Sequence, residues 1–464
     1  MTEQPSTKNS NVDEAANKKK YAILFGYCGT GYHGSQTNKG FDTIDDELIA
    51  GLHKAGCISD SNFFDENKFV KNGWNRAART DKGVHAAGNV VSCKLAVVLG
   101  KEKETVERIN TCLPPAICVF SIIRTTKNFN AKNFCDRRQY EYLLPVYALE
   151  PFKGAESVKT VAEDIKSSWT EYRDYEEYLE QKEKGTAVEN PCENKSGNQQ
   201  RAKSLVLAQH ILEIEGSFTE YTRDAQDDAF GEALPREQWP EYLPLALSRL
   251  RACMSLFVGT HNFHNYTVGK TAADASAQRH LLSITVSDPV RIHDELYLRV
   301  RLEGQSFMLH QIRKMIGIGV EVARGRCDLY SVNCSLSRGN MITPMAPSTG
   351  LFLDKPVFAE YNRKHADDPA KELNLDAASF SSERCEFKRV QIYEHIDDQI
   401  REGNVFRAWL SSNDSFEKEY KVTYPTKEES KKMEEEAREL NRAKRLEKEA
   451  KWDKKRKIEK KEEN

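Results

Sequence analysis

Residues 79–86 combine an aspartate, an arginine and a tight turn in a pattern that could do chemistry. Their sequence is Arg-Thr-Asp-Lys-Gly-Val-His-Ala, so the carboxyl group of Asp81 follows the guanidinium of Arg79 by two positions. Asp-Lys-Gly favours a turn, because Asp can cap its own backbone two residues on and Gly83 accepts a positive φ without steric cost. The arginine would keep the carboxylate ionised and directed toward a cleft. Many Thr-Asp-x-Gly turns only connect two elements, and the turn residues alone favour that simpler interpretation.

The stretch 129–145 could bind an unpaired base. Its alternation predicts a strand in which Tyr140 and Tyr142 share one face and Glu141 lies on the other. Two aromatic residues on one strand face usually belong to the core. Here they follow Arg138 and other basic residues, and basic residues interleaved with aromatic ones are what a stacking surface for an unpaired base requires. A core strand and an RNA-binding strand are both open interpretations.

A predicted helix at 307–320 carries polar groups in an otherwise apolar sequence. His310, Arg313 and Gly317 fall at positions i, i+3 and i+7, which places a charged side chain beside a small one on one helical face. A backbone or a carboxylate could approach that face. The alternative is a polar stripe on an ordinary surface helix.

A glycine-rich turn suggests a competing function. Gly29, Gly31 and Gly34 spell G-x-G-x-x-G after a predicted strand at 21–27, which is the fingerprint of a dinucleotide site in an oxidoreductase. That fingerprint must open a helix directly, whereas the helical pattern here begins only near Thr43. The dinucleotide site is therefore the weaker hypothesis.

Composition and charge narrow the class of protein. The chain has 464 residues, enough for two or three domains, and no run of about 18 apolar residues marks a membrane span. The 11 cysteines form no C-x-x-C pair, so spacing encodes neither a disulfide framework nor a zinc site. The net charge is -2, but residues 71–145 carry thirteen Lys and Arg against six Asp and Glu, and residues 150–241 carry eleven against twenty-one. The basic segment is the one that would attract phosphate.

In this order, the three segments resemble the motifs of the TruA family of tRNA pseudouridine synthases. The resemblance covers about residues 21–361, interrupted by a charged insert. In that family the aspartate of an Arg-Thr-Asp-x-Gly-Val-His-Ala turn does the chemistry, and Asp81 is the matching residue. The first tyrosine of an Arg-x-Tyr-x-Tyr pattern packs against the target base, a position similar to Tyr140. A helical arginine that pairs with the catalytic aspartate is similar to Arg313.

The same resemblance assigns further residues to the cleft. Arg79 would fill the space left by a base that has flipped out of its stack. Arg138 would contact phosphate, although the family often has a second arginine where Gln139 stands. The remaining substrate-binding candidates are Tyr32 and Gln36 in the glycine-rich turn, and Leu351 in a strand similar to the family's terminal Pro-x-x-Gly-Leu strand.

The fold implied by the resemblance is α+β. Two similar α/β halves, each built on an antiparallel sheet, would join into one continuous sheet around a basic cleft, with Asp81 and Tyr140 in the first half and Arg313 in the second. Helices at 371–407 would add to the edge of the domain. The predicted segments are a disordered N-terminus at 1–20, a first half at 21–150, a charged and partly disordered insert at 151–240, a second half at 241–361, a C-terminal extension at 362–426 and a charged tail at 427–464.

The implied function is the isomerisation of uridine to pseudouridine in folded RNA, chiefly tRNA, with small nuclear and messenger RNA as further candidate substrates. No cofactor and no metal are expected. His261 and His264 are three residues apart, but no third ligand stands at a supporting spacing, so we expect hydrogen bonds or RNA contact there.

The charged insert, which bacterial members of the family lack, points to the eukaryotic nuclear branch. The basic run at 454–457 favours nuclear import. We expect a monomer that does not associate with membranes. A non-catalytic RNA-binding protein and, as a weaker case, a dinucleotide-binding oxidoreductase are the alternative functions.

Overall fold

A computed structural model of the chain describes residues 18–153, 158–161, 163–164, 230–336, 339–416, 420 and 442. Most of the N-terminal segment, of the charged insert and of the charged tail lies outside these residues, so the six predicted segments stay predictions. No helix in the described part is long and apolar enough to cross a membrane.

One sheet runs through the described residues and confirms the predicted continuous α+β sheet. Its longest path has the order β4, β1, β3, β11, β5, β10, β8 and β7, while β2 pairs with β3, β9 pairs with β10 and β6 pairs with β9. Every neighbouring pair is antiparallel except β11 and β3. The strands are β1 Lys19–Tyr27, β2 Asn75–Arg76, β3 His85–Leu95, β4 Ile117–Arg124, β5 Arg137–Pro145, β6 Glu232–Ala233, β7 Gly259–Asn262, β8 Gln278–Val286, β9 Val290–Ile292, β10 Glu295–Gly304 and β11 Leu351–Val357.

Helices cover both faces of this sheet. The expected helix after the glycine-rich turn begins where Thr43 caps it, because the Thr43 hydroxyl accepts a hydrogen bond from the backbone N–H of Asp46. A π-helical turn, Lys388–Glu394, joins α9 to α10. The helices are α1 Ile44–Lys54, α2 Asp60–Phe63, α3 Lys68–Lys71, α4 Glu102–Asn110, α5 Leu243–Ser255, α6 Gln311–Ala323, α7 Leu329–Ser335, α8 Ala359–Lys364, α9 Ser381–Phe387, α10 His395–Gly403 and α11 Val405–Asp414.

The apolar run of β1 shows why the sheet needs cover on both faces. Tyr21, Ile23 and Phe25 belong to one buried cluster, whereas Ala22 and Leu24 belong to another. Successive side chains of a strand point to opposite faces. A strand that is apolar on both faces must therefore lie inside the sheet, and β1 does so between β3 and β4.

The two parts of the sheet meet at β11. This strand pairs in parallel with β3 through Phe352–His85 and Leu353–Ala86, and it pairs antiparallel with β5 along its length. We call β4, β1 and β3 the first-half side of the join, and β5, β10, β8 and β7 the second-half side. Because β5 pairs with β11 and β10, Tyr140 lies on the second-half side of the join, whereas the sequence suggested the first half, together with Asp81. Alternation predicts that a strand forms, but it does not identify the strand's neighbours.

The C-terminal helices expected within residues 371–407 lie across a face of the sheet. Phe387 of α9 packs on β1, where a Cβ on Gly26 would lie only 2.8 Å from the phenyl ring. Arg384 of the same helix donates to the backbone carbonyl of Asp354 at 2.9 Å and to its carboxylate at 2.7 Å. An amphipathic helix buries its apolar face against the core, and here the face of the sheet provides that apolar surface.

A buried charge cluster forms between these helices and the sheet. Lys388 Nζ donates to Glu141 Oε1 at 2.9 Å and to Asp354 Oδ1 at 2.8 Å, and Tyr393 donates to Glu141 Oε2 at 2.7 Å. Burial by itself would raise the pKa of both carboxyl groups, but the positive charges of Lys388 and of neighbouring arginines together outweigh it and hold each pKa below its usual range. Since Glu141 belongs to β5 and Asp354 to β11, one lysine fastens the two strands at the join.

Replacing Lys388 by methionine should therefore destabilise the protein strongly. The change removes the cation that the two buried carboxylates share, and although Arg384 still contacts Asp354 and Arg301 lies 3.4 Å from Glu141, breaking a buried ion pair costs about 3–5 kcal/mol. The deficit should shrink as the pH falls from about 7 toward about 4, because carboxyls without their cation gain a raised pKa and become neutral before those of the native protein. Urea unfolding followed at several pH values measures both effects.

Lys364→Met is the matched control. Lys364 pairs with Glu360 at 3.1 Å on the surface, where its side chain is 59% exposed, so its removal should change stability by no more than about 0.5 kcal/mol. A Lys388→Met protein that unfolds at the same urea concentration as this control would contradict the role given to the buried cluster.

Candidate active site

The turn that carries Asp81 is closed by its backbone. The N–H of Val84 donates to the carbonyl of Asp81 at 3.1 Å, and Gly83 has the predicted positive φ, at 76°. The expected side-chain cap is not formed, and within the described residues the Asp81 carboxylate has no hydrogen bond or ion pair. Because the backbone bond already closes the turn, the carboxylate stays exposed and available.

The glycine-rich turn packs directly against the backbone of the Asp81 turn. A Cβ on Gly29 would overlap the carbonyl of Val84, and a Cβ on Gly34, whose φ is +91°, would lie 2.9 Å from the carbonyl of Thr80. Ser35 completes the contact: its N–H donates to Thr80 O at 3.1 Å and its hydroxyl accepts from Thr80 N at 2.9 Å. The glycines thus permit one backbone to pack on another. This explains the G-x-G-x-x-G spacing without a dinucleotide, and the first helix begins only at Ile44.

Tyr140 lies where the two apolar cores meet. It is half-buried and packs against both clusters, and its ring stands almost perpendicular to that of Phe307, with 5.3 Å between ring centres. Burial raises the pKa of the Tyr140 hydroxyl well above its ordinary value, and the negative charge of Asp81 adds to the shift while Arg138 opposes it. The Asp81 carboxylate and the Tyr140 hydroxyl therefore share one electrostatic environment, across the join of the sheet.

Arg313 faces the same place from the first turn of α6. Its Nε donates to the carbonyl of Ala346 at 2.7 Å. Burial lowers the pKa of the guanidinium, and the negative charge of Asp81 is one of the groups that raise it again. The predicted ion pair is not present as a direct contact, since no ion pair of the described residues joins Arg313 to Asp81. The two charges act on each other at longer range.

The helical face of Arg313 also explains a small residue. A Cβ on Gly317 would overlap the carbonyl of Pro344, so the expected close approach of a backbone to this face does occur. Ala346 donates its N–H back to Arg313 O at 3.1 Å. The segment after residue 340 is thereby held against α6 at the position of Arg313.

Arg138 has a structural task in this arrangement. Its guanidinium donates to the carbonyl of Ala77 at 2.8 Å and to that of Gln305 at 2.7 Å. One carbonyl precedes the Asp81 turn and the other follows β10, so Arg138 bridges the two sides of the join. Contact with phosphate stays a prediction for this side chain. Gln139, where the family often has arginine, donates to Glu303 at 2.7 Å on the opposite face.

The other predicted site residues are placed less closely around Asp81. Arg79 is exposed two positions before the carboxylate. Tyr32 is half-buried on the first-half core, and its carbonyl accepts from Gly83 N at 3.2 Å. Leu351 is half-buried opposite Tyr142 in the β11–β5 ladder. Gln36 is exposed, and no contact within the described residues connects it to Asp81.

Two supporting groups were not found from the sequence. Phe307 precedes α6 and orients the Tyr140 ring, and its position just before the motif helix could have suggested it. A second group consists of Cys28, His85 and His395. His85 Nδ1 accepts from Gly29 N–H at 3.0 Å, and the rings of His85 and His395 stand nearly perpendicular with 5.4 Å between centres. No sequence signal joins residues so far apart along the chain.

This group changes the chemistry of the Cys28 thiol. Burial would raise its pKa, but hydrogen bonding to His395 and His85 outweighs burial and lowers the pKa to about 5. The hydrogen bond to Cys28 in turn raises the pKa of His395. His395 also shares a hydrogen bond of 2.7 Å with the hydroxyl of Thr30. A helix of the C-terminal extension is thus attached to the glycine-rich turn under Asp81.

The Cys28 thiol should therefore ionise at an unusually low pH in the native protein. The rate of alkylation of Cys28 by iodoacetamide, measured by peptide mass spectrometry, should rise with pH and reach its midpoint at a pH of about 5. In the urea-unfolded chain the midpoint for the same cysteine should lie at a pH of ~8.5. His395→Ala removes a hydrogen-bonding partner and should move the midpoint upward. Equal midpoints in native and unfolded protein would show that the histidines do not stabilise a thiolate.

The two histidines considered as metal ligands use their rings for hydrogen bonds. His261 Nε2 donates to the carbonyl of Val258 at 2.8 Å, and His264 Nδ1 lies 3.2 Å from Asn262 Oδ1. Within the part of the chain that the structure describes, no group of three or more His, Cys, Asp or Glu residues could hold a metal ion.

Known proteins resemble the chain over most of its length. Residues 253–359, which include Arg313 and Leu351, match the family model described as tRNA pseudouridine synthase. The chain is 36% identical over 414 residues to tRNA pseudouridine synthase 1 of Kluyveromyces lactis, covering 88% of this chain and 72% of that protein. It is 34% identical over 404 residues to tRNA pseudouridine synthase 1 of Saccharomyces cerevisiae, covering 86% and 72%.

The chain is also similar to a tRNA pseudouridine synthase with a different name. The chain is 33% identical over 387 residues to tRNA pseudouridine(27/28) synthase of Saccharomyces cerevisiae, covering 83% of this chain and 96% of that protein. Similarity of this extent spans both sides of the join, not the matched segment alone. Together with the three motifs, it shows that the chain belongs to the TruA family of tRNA pseudouridine synthases.

Proposed function

We propose that this protein isomerises uridine to pseudouridine in tRNA and that the carboxylate of Asp81 is the reacting group. One observation carries the proposal: an exposed carboxylate without a partner in the described residues stands on a rigid turn, within electrostatic reach of Tyr140 and Arg313. A turn that only connected two elements would not need a second glycine-rich turn packed beneath it.

The reaction balances without any further reactant. The bond between N1 of uracil and C1' of the ribose breaks, the base rotates, and a bond forms between C5 and C1'. The proton on C5 is lost and N1 gains one. Asp81 can act as a nucleophile on the sugar or the base, or as a base that removes a proton, and both routes need the ionised carboxylate.

The neighbouring side chains fit distinct parts of this task. Arg313 places a positive charge near the Asp81 carboxylate without direct contact, since the negative charge of Asp81 acts on the pKa of the guanidinium. The Tyr140 ring offers a face for the uracil, and burial raises the pKa of its hydroxyl further above its ordinary value. Arg79, exposed beside Asp81, can enter the space left by the uridine. Extruding a base costs a few kcal/mol, which such an inserted side chain helps to offset.

Three finer features belong to the same proposal. Small nuclear and messenger RNA would be further substrates, which rests on the family resemblance of the sequence. The protein would act as a monomer, which rests on the charged insert that bacterial members of the family lack. A nuclear location rests on the basic run at 454–457. Replacing those four residues by glutamine in the full chain should move a fluorescently tagged protein to the cytoplasm, and an unchanged nuclear signal would refute that location signal.

A single assay separates the proposal from its alternatives. Purified protein is incubated with uridine-labelled tRNA and nothing else, and the RNA is analysed for pseudouridine. An RNA-binding protein without chemistry would bind the tRNA and leave it unchanged. An oxidoreductase would need a dinucleotide and would form no pseudouridine.

Asp81→Asn should abolish pseudouridine formation. The amide keeps the side-chain volume but can act neither as nucleophile nor as base, so the single-turnover rate should fall by at least about 10³-fold. Affinity for tRNA should hold or rise slightly, because one negative charge is removed from a surface that faces phosphate. Rates are measured with enzyme in excess, beside the dissociation constant of the tRNA complex.

Asp42→Asn is the matched control. Asp42 is another exposed carboxylate, close enough to Tyr32 to raise the pKa of its hydroxyl, so this variant removes the same charge from the same region. It should keep nearly full activity. An Asp81→Asn protein that folds, binds tRNA and forms pseudouridine as fast as this control would overturn the assignment of the turn.

A further inference from the structure

A group of exposed apolar side chains lies beside Arg313. Most large apolar side chains of the described residues are buried, yet the exposed fraction is 51% for Val268, 50% for Leu309, 54% for Ile342 and 39% for Met345. The mechanism proposed above uses none of the four. They come from three separate stretches of the chain, so the fold has to bring them together.

Hydrogen bonds next to these residues connect the three stretches. The hydroxyl of Thr267 donates to the carbonyl of Leu309 at 3.0 Å, which places Val268 beside Leu309. Arg313 and Ala346 exchange two hydrogen bonds, which brings Met345 to the first turn of α6.

A buried asparagine completes the connection. The side chain of Asn265 donates to two backbone carbonyls, those of Ser335 and Gly339, and accepts from the N–H of Met341 at 3.0 Å. Its own carbonyl accepts from the hydroxyl of Thr343 at 2.7 Å. Ile342 is held between two of these bonded residues. The apolar side chains therefore stand on a backbone that these hydrogen bonds hold in place.

The backbone beside Leu309 is strained. His310 has a φ of 63°, in the left-handed region that is unfavourable for a residue other than glycine. The turn places Phe307 against Tyr140 and leaves Leu309 exposed. Strained backbone persists where the surrounding structure holds it, and it gathers at sites that bind ligands.

Cations border the apolar side chains. Arg313 and Lys314 lie in the first turn of α6, and Lys314 Nζ donates to the carbonyls of Asn265 and Thr267, each at 3.1 Å. Lys270 follows Val268 by two residues, with Asp274 at 3.9 Å. Apolar surface with neighbouring cations suits a nucleotide, because the flat face of its base is apolar and its phosphate is negative.

We propose that Val268, Leu309, Ile342 and Met345 form an apolar platform that packs against a nucleobase flanking the target uridine. The inference rests on the proposed function. When a uridine leaves its stack, a face of each neighbouring base is uncovered, and contact with aliphatic side chains replaces part of the lost stacking. Because every base has such a face, the platform would support flipping without selecting a sequence. Its continuity with Arg313 favours RNA over a second copy of the chain.

Photocrosslinking tests the occupant directly. The photoreactive residue p-benzoylphenylalanine is introduced at Leu309 in the Asp81→Asn background, so that binding is read without turnover. Irradiation should join it to tRNA nucleotides adjacent to the target uridine. The control position is Leu99, which is 71% exposed and follows the opposite end of β3 from Asp81; it should give no such product. Crosslinks from Leu309 to a second protein chain, or to distant nucleotides only, would overturn the proposal.

The affinity for tRNA and the fluorescence of a neighbouring base test whether the platform contributes to binding. The double variant Leu309→Ser, Met345→Ser should bind tRNA about 10-fold more weakly, with less fluorescence increase from a 2-aminopurine placed next to the target uridine. Leu309→Met should behave like the native protein, and Leu99→Ser is the control for loss of an exposed leucine. Unchanged affinity and fluorescence in the double variant, with an active native enzyme, would refute the platform alone. An inactive native enzyme would refute the proposed function instead.

Discussion

The join of the sheet depends on one buried cation, Lys388, held between the carboxylates of Glu141 and Asp354. These acids lie on β5 and β11, and each follows a residue of the opposite face, Tyr140 and Leu353. Because side chains alternate across a strand, the charge cluster occupies the face opposite the candidate active site. Such a cluster stabilises a fold only when it is complete, since an unpaired buried charge costs on the order of several kcal/mol. The C-terminal helices thereby control the spacing between the strands on which the site is built.

The reactive group is positioned by backbone rather than by side-chain partners. Hydrogen bonds from Ser35 and to Tyr32 O hold the turn of Asp81 in place, while the carboxylate itself stays free of partners among the described residues. A catalytic acid with several hydrogen bonds would be stabilised as an anion and less reactive as a nucleophile or base. The hydrogen bonds of the turn fix the position of Asp81, and the charge of Arg313 acts on it only at longer range. The carboxylate is thus held in place without direct partners among the described residues.

The two sides of the join contribute different properties to the candidate site. Asp81 comes from the first-half side, whereas Tyr140, Phe307, Arg313 and the apolar platform all come from the second-half side. Aromatic and aliphatic surface is thus concentrated on one side, and the Asp81 carboxylate stands on the other. The relative placement of the sides, set by β11 and by the bridge from Arg138 to Ala77 and Gln305, decides how close a bound uridine comes to Asp81.

The sequence by itself determined the local features: the turn of Asp81 with Gly83 at positive φ, the alternation that separates Tyr140 from Glu141, the helix of Arg313 with its small Gly317, and through the motifs the family and the continuous sheet. Each of these depends on neighbours within a few residues or on a whole motif. The placement of β5 beyond β11, the face chosen by the C-terminal helices, the use of Arg138 as a bridge and the missing direct contact between Arg313 and Asp81 were decided only by the tertiary structure. Strand partners, buried ion pairs and shared carbonyls join residues from 30 to more than 200 positions apart, and no local pattern of side chains encodes which of many chemically equivalent partners will meet.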